Sequence, residues 1–218
     1  MRRHVLLGCM LVMVMLVSRI LYTDRLTYLF LPWNMFLAFV PLLVAFLARR
    51  FSFRSWKLLA ASAVWLLFFP NAPYLITDLY HITSLAGAPV WYDALMLFTA
   101  AYSCVAMGFV SLKMMEKLWQ QNWEQKWMAN KHWLKVGLIL SLFVATGFGL
   151  YLGRVLRYNS WDVITDTNGL VVDIASRLLR PTQHFQTWGF TFVYAACLFF
   201  FYQVWMGNSF LKKDSDHV

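Results

Sequence analysis

What this chain most conspicuously lacks is charge. Only 13% of its 218 residues are Asp, Glu, Lys or Arg, about half the share usual in soluble domains. Acidic residues are especially few, ten in all against nineteen Lys and Arg. There are three cysteines, Cys9, Cys104 and Cys197, each inside an apolar stretch and without paired spacing. They support neither a disulfide framework nor a thiolate metal site, and read as small buried hydrophobes. Also missing are H-E-x-x-H, a P-loop, G-x-S-x-G and C-x-x-C, which removes the commonest sequence routes to an enzyme assignment. Long polar stretches that could form a soluble module are absent too.

In their place stands hydrophobic sequence, 61% of the chain, arranged in runs of membrane-crossing length. Spans are expected at about 5–22, 30–48, 57–76, 91–112, 135–156 and 186–206. All should be helical, because a lone segment in lipid must satisfy its backbone hydrogen bonds internally. The expected fold class is an all-α membrane protein: one polytopic domain over residues 1–218, a bundle of six transmembrane helices with a broken third helix. The start, Arg2-Arg3-His4 and then an apolar run over 5–17, resembles a signal peptide. It is not succeeded by a small-x-small cleavage site, so an uncleaved first helix is expected.

The net charge of +9 suggests nucleic acid until its placement is considered. The N-terminus, the 49–57 and 113–135 loops and the tail carry thirteen cations and four anions. The other loops and span ends carry six of each: Arg19, Arg25, Arg154, Arg157, Arg177 and Arg180 against Asp24, Asp78, Asp93, Asp162, Asp166 and Asp173. The whole excess lies on one face. The positive-inside rule makes that face cytoplasmic, with both termini, in a cell membrane. No basic groove or stacking platform supports nucleic-acid binding.

Two loops have amphipathic patterns. Trp119, Trp123 and Trp127 recur every four residues among Lys117, Gln120, Gln121, Glu124 and Gln125, as expected for an interfacial helix within 113–135. In the 157–185 loop, Asp173, Arg177 and Arg180 form a polar face opposite Leu170, Val171, Ile174, Ala175 and Leu178. Asp173 and Arg177 make an i,i+4 pair.

Three segments carry polar residues unusual for membrane sequence. In Phe69-Pro70-Asn71-Ala72-Pro73-Tyr74, two prolines remove backbone donors within the outer leaflet and should break the third helix. Asn71 would cap a new helix through its side-chain oxygen. If an α-helix resumes, Asn71, Tyr74, Asp78 and His81 share one face. Trp91-Tyr92-Asp93 opens the fourth span; the helix dipole favours Asp93 there and the aromatic rings suit an interface. At the end of the fifth span lie Gly149 and Gly153, a G-x-x-x-G packing pair, then Arg154, Arg157, Asn159 and Asp162. Two arginines on the face opposite the basic one call for an offset: Asp78, Asp93, Asp162 or an anionic ligand. Asn159 or Ser160 should cap a short helix holding Asp162 and Asp166. Asn34, inside the second span, should bond another helix.

The strings FFPNAPYLITDL, WYD and YLGRVLRYNSWD together resemble the signature of a bacterial integral membrane protein family, domain of unknown function 1361. The resemblance covers roughly residues 34–205. It implies a multi-pass bacterial membrane protein and no particular reaction, so it transfers no catalytic residue and no cofactor.

Three functions remain. The leading one is a non-enzymatic protein whose outer-face polar site binds an anionic lipid or a membrane-protein partner. The second is a small-solute transporter or channel, suggested by the helix break. The third is a membrane enzyme on a lipid-linked or phosphorylated substrate, with Arg154 and Arg157 holding the anion and Asp78, His81 or Asp93 as acid–base groups. Asp78 and His81 fall short of the three ligands a metal centre usually needs.

Overall fold

A computed structural model describes residues 2–83, 87–127 and 132–206, with side chains outside that description at 2–3, 80–83, 123–127 and 132. Six helices are long and apolar enough to cross a membrane. They are α1 (Arg2–Thr23), α2 (Phe30–Arg50), α3 (Ser55–Phe68) with its bent continuation, α5 (Val90–Trp127), α6 (His132–Arg154) and α9 (Phe185–Met206). The continuation of α3 comprises α4 (Asn71–Tyr74) and a 3-10 segment, Leu75–Thr83. Between α6 and α9 lie α7 (Asp162–Thr165), α8 (Thr167–Leu179) and a 3-10 turn, Pro181–His184. The chain is a multi-pass, all-helical membrane protein.

The chain divides into two compact units, Met1–Asn122 and Trp123–Val218. In the first, α5 contributes Met96, Leu97, Ala100, Ala101, Cys104 and Met107 to a core shared with α1, α2, α4 and the 3-10 segment. A Cβ built on Gly108 would stand 2.8 Å from the Ala72 Cβ, so glycine lets α5 and α4 approach. Helix α5 is also longer than its apolar run. The 113–127 stretch continues it without a break, so the tryptophan-bearing segment is part of a spanning helix rather than a separate interfacial one. Its first turns pack inside the unit: Leu112, Met115 and Leu118 are buried. The Trp119 indole donates to the Ser62 hydroxyl at 2.9 Å and meets Trp65 edge-on. Trp123 and Trp127 have side chains outside the described residues.

In the second unit α6 packs along α9. Helix α9 turns Thr187, Thr191, Ala195, Leu198 and Tyr202 inward and leaves Phe192, Val193, Phe200 and Val204 exposed. Threonine and alanine inward at 187, 191 and 195, with large apolar residues outward, suit a solvent of hydrocarbon. The close approach falls at Gly147, where a Cβ would come within 2.5 Å of the Thr191 carbonyl oxygen. The same logic corrects the cysteines: Cys104 is buried, Cys9 intermediate and Cys197 exposed. In lipid an outward face can be as apolar as a core.

The break in the third span occurs at the prolines. Helix α3 ends at Phe68, two residues before Pro70. Asn71 does not cap α4, however. Pro70 occupies the cap position with no side-chain cap bond, and the Asn71 amide donates back to the Phe68 carbonyl at 3.0 Å. It thus satisfies an orphan acceptor at the end of α3 rather than an orphan donor of α4. Beyond Tyr74 the chain tightens into a 3-10 helix, whose period of three aligns positions 75, 78 and 81. The 3.6-residue register expected across Asn71, Tyr74, Asp78 and His81 therefore does not continue.

Candidate functional site

Two of the buried charges of the first unit meet where α1 ends and α5 begins. Asp24 and Tyr28 adopt φ of 50° and 63°, folding the 24–29 turn back so that Tyr28 lies under the end of α1. Arg19 and Asp93 are both 1% exposed. The Arg19 guanidinium grips the Asp93 carboxylate with two bonds, Nε to Oδ1 at 2.6 Å and Nη2 to Oδ2 at 3.0 Å. It also donates to the Thr27 hydroxyl and stacks 4.6 Å from the Tyr28 ring centre. A planar fork with five donors suits this site, where a lysine could not make the same paired contact. Burial, first, and then the Asp93 carboxylate push the Tyr28 hydroxyl up to about 12, so it stays protonated. One residue along each helix, Ser18 and Tyr92 share a hydrogen bond of 2.6 Å, and Tyr92 donates to the Met15 carbonyl at 3.0 Å. Tyr92 and Asp93 therefore tie α5 to α1, beyond their suitability for a helix start at an interface.

Asp78, 3% exposed, accepts from the Asn34 amide at 3.3 Å. This is the interhelical bond expected of Asn34, made between α2 and the 3-10 segment. Asn71 and Tyr74 are half-buried. His81 lies in the 3-10 segment, and its side chain lies outside the described residues.

The second unit holds Arg154, Arg157, Asn159 and Asp162. Arg154 is the last residue of α6. Arg157 lies beyond the helix end, exposed and with φ of 66°, so the two arginines are not on one continuous helix face. The expected cap is reversed: Asp162 accepts from the Asn159 backbone N–H at 2.6 Å and from the Thr165 hydroxyl at 2.7 Å. These bonds, the backbone one foremost, hold its carboxyl below the usual carboxylate range. Asp166 caps α8, accepting from Gly169 N–H at 3.2 Å.

Helix α8 is amphipathic, with Arg177 of its charged pair facing inward and Asp173 at the margin. Arg177 is 8% exposed, whereas Val172 and Leu179 are 68% and 81% exposed. Arg177 binds the Asp173 carboxylate at 2.6 Å, and the Tyr158 hydroxyl donates to its other oxygen at 2.8 Å. Tyr158 first, then Arg177, hold the Asp173 carboxyl low; that same carboxylate bond raises Tyr158. The Trp188 indole donates to the Arg177 carbonyl at 3.2 Å. A buried arginine with aliphatic residues outward is what an interface with lipid selects, the reverse of a water-facing helix.

Asp93 is thus engaged by Arg19, Asp78 accepts from Asn34, and Asp162 binds its own loop, so each carboxylate considered as an offset for Arg154 and Arg157 has a partner close by. Among the described residues no group of three His, Cys, Asp or Glu is arranged to hold a metal. Arg19 was open to detection from sequence: it is an arginine inside an apolar span, and such a residue needs a partner. The identity of that partner was not open to detection, since 74 positions separate it from Asp93. No curated protein and no solved structure matches the chain. The family model described as Protein of unknown function (DUF1361) matches residues 33–201, and the chain belongs to that family.

Proposed function

We propose that the protein is a non-enzymatic plasma-membrane protein that binds an anionic lipid at its outer face through the 157–185 segment. Both termini are cytoplasmic in this reading, because all the excess positive charge lies on their side. The carrying observation is how the segment disposes of its charges. Asp162, Asp166 and Asp173 all accept hydrogen bonds from its own residues, while Arg157 and Arg180 are exposed. In the same segment Ile164, Leu179 and Phe185 are 85%, 81% and 82% exposed. Cations beside outward aliphatic and aromatic residues match a phosphate headgroup above acyl chains. A protein partner would instead favour complementary charges of both signs.

The test compares the native protein with Arg157→Gln/Arg180→Gln, purified in mild detergent, by quantifying co-purifying lipid. A several-fold loss of anionic lipid, with zwitterionic lipid unchanged, is expected. Equal recovery would reject the reading. A buried carboxylate at the bent helix, Asp78, favours solute passage as the second reading. Reconstituted vesicles separate the two, since flux abolished by Asp78→Asn would establish transport.

A further inference from the structure

The loop joining α2 to α3 has a feature that the outer-face reading does not use. Four cations, Arg49, Arg50, Arg54 and Lys57, occur within nine residues with no acidic residue among them. All four are exposed. They are interleaved with Phe51 and Trp56, 65% and 72% exposed. Residues 51–57 line an open depression of about 640 Å³ on the surface of the loop.

The backbone holds this shape against its own preferences. Phe53 N–H returns to the Ala48 carbonyl at 2.9 Å, and Ser52 N–H to Arg49 at 3.3 Å, folding the loop against the end of α2. Ser52 and Ser55 adopt left-handed φ of 50° and 49°, which L-residues reach at some cost. Phe51 and Phe53 stack with ring centres 6.4 Å apart. The Lys57 ammonium sits 5.8 Å from the Trp56 ring centre, so cation and indole are presented together.

We propose that the α2–α3 loop seats the headgroup of an anionic phospholipid, with Arg54 and Lys57 on the phosphate and Phe51 and Trp56 at the acyl boundary. Charge selects the occupant: four cations with no acid among them call for an anion, and two exposed aromatic residues call for an apolar neighbour. A phospholipid supplies both in one molecule. The loop lies between two spanning helices, at the level where headgroups are found.

The experiment uses the full chain in nanodiscs of phosphatidylcholine, titrated with phosphatidylglycerol and read by native mass spectrometry. Arg54→Gln/Lys57→Gln should lower phosphatidylglycerol affinity roughly 10- to 30-fold, the effect of removing two cations near a headgroup layer. Phe51→Ala/Trp56→Ala should lower it several-fold. Measured in an Arg157→Gln/Arg180→Gln background, which removes the proposed outer site, the Arg54→Gln/Lys57→Gln effect should persist at full size, which separates its failure from failure of the outer-face reading. Helical content measured on every variant identifies loss of fold. Unchanged affinity in well-folded Arg54→Gln/Lys57→Gln overturns the proposal. So does full displacement by millimolar glycerol phosphate with no effect of the aromatic substitutions, which would make the occupant a free phosphate.

Discussion

Arg19 and Asp93 show how little a residue's type says about its role in this chain. Each belongs to a group of charges that hydropathy assigns to loops and span ends, yet both are buried and bonded to each other. Withdrawing two ions from water is expensive, and their attraction offsets that only in good geometry with the remaining donors satisfied. Here the paired bonds, the Thr27 hydroxyl and the Tyr28 ring supply that geometry. Removing one partner should therefore be worse than removing both. Asp93→Asn is expected to lower stability by about 3–5 kcal/mol, because it leaves a buried guanidinium without its counterion. Arg19→Met/Asp93→Leu should recover much of that loss. The check is thermal unfolding in detergent of both single variants and the double. Equal destabilisation in Asp93→Asn and the double would show that the ion pair contributes nothing beyond packing.

At the scale of elements, the chain was legible wherever a local cause acts. Pro70 ends α3 because a missing N–H and a constrained preceding residue are properties of the prolines themselves. Asp173 and Arg177 pair because an α-helix places i and i+4 together. The conformation beyond a break is not local: whether Leu75–Thr83 continues as α- or 3-10 helix depends on what α2 and α5 present to it. The orientation of α8 was likewise hidden, since an amphipathic pattern fixes two faces without saying which meets lipid. The Tyr158–Asp173–Arg177 contacts make α8 docking pH-dependent at both ends. Asp173 is depressed in the folded protein, so its contribution is full above its unfolded value near 4 and is lost as pH falls through the lower folded value. Tyr158 is raised, so its contribution is full below its unfolded value near 10 and is lost as pH rises through the higher folded value. Trp188, bonded to the Arg177 carbonyl, is a natural fluorescence probe of this docking. Its emission, read as the difference from Trp188→Phe, should hold steady between about pH 5 and pH 9 and change on either side. Tyr158→Phe should abolish the alkaline change and keep the acid one; an alkaline change surviving in Tyr158→Phe would assign it elsewhere.

Over the whole molecule, charge asymmetry and local pairing have separate roles. Arg19 and Asp93 neutralise each other inside the first unit, as Arg177 and Asp173 do in the second. Neither pair adds to the net +9 on which the proposed orientation rests. Reporter fusions after Arg50 and at the C-terminus should report cytoplasmic exposure, and one in the 157–167 stretch the opposite side. Converting Arg49, Arg50, Arg54 and Lys57 to Gln should increase the misoriented fraction. A cytoplasmic 157–167 reporter in the native chain would reverse the orientation and move the proposed outer lipid site to the inner face.

Hydropathy, prolines and the i,i+4 spacing alone settled the number of spans, the break in the third and the Asp173–Arg177 pair. Each depends on a segment's own backbone and its transfer into hydrocarbon, which neighbouring helices do not alter. The partners of the polar residues were decided only in three dimensions. Asp93 finds Arg19, Asp78 finds Asn34 and Gly147 meets Thr191. A buried polar group or a close helix approach is satisfied by whatever packing brings within about 3 Å, and no period in the sequence records that distance.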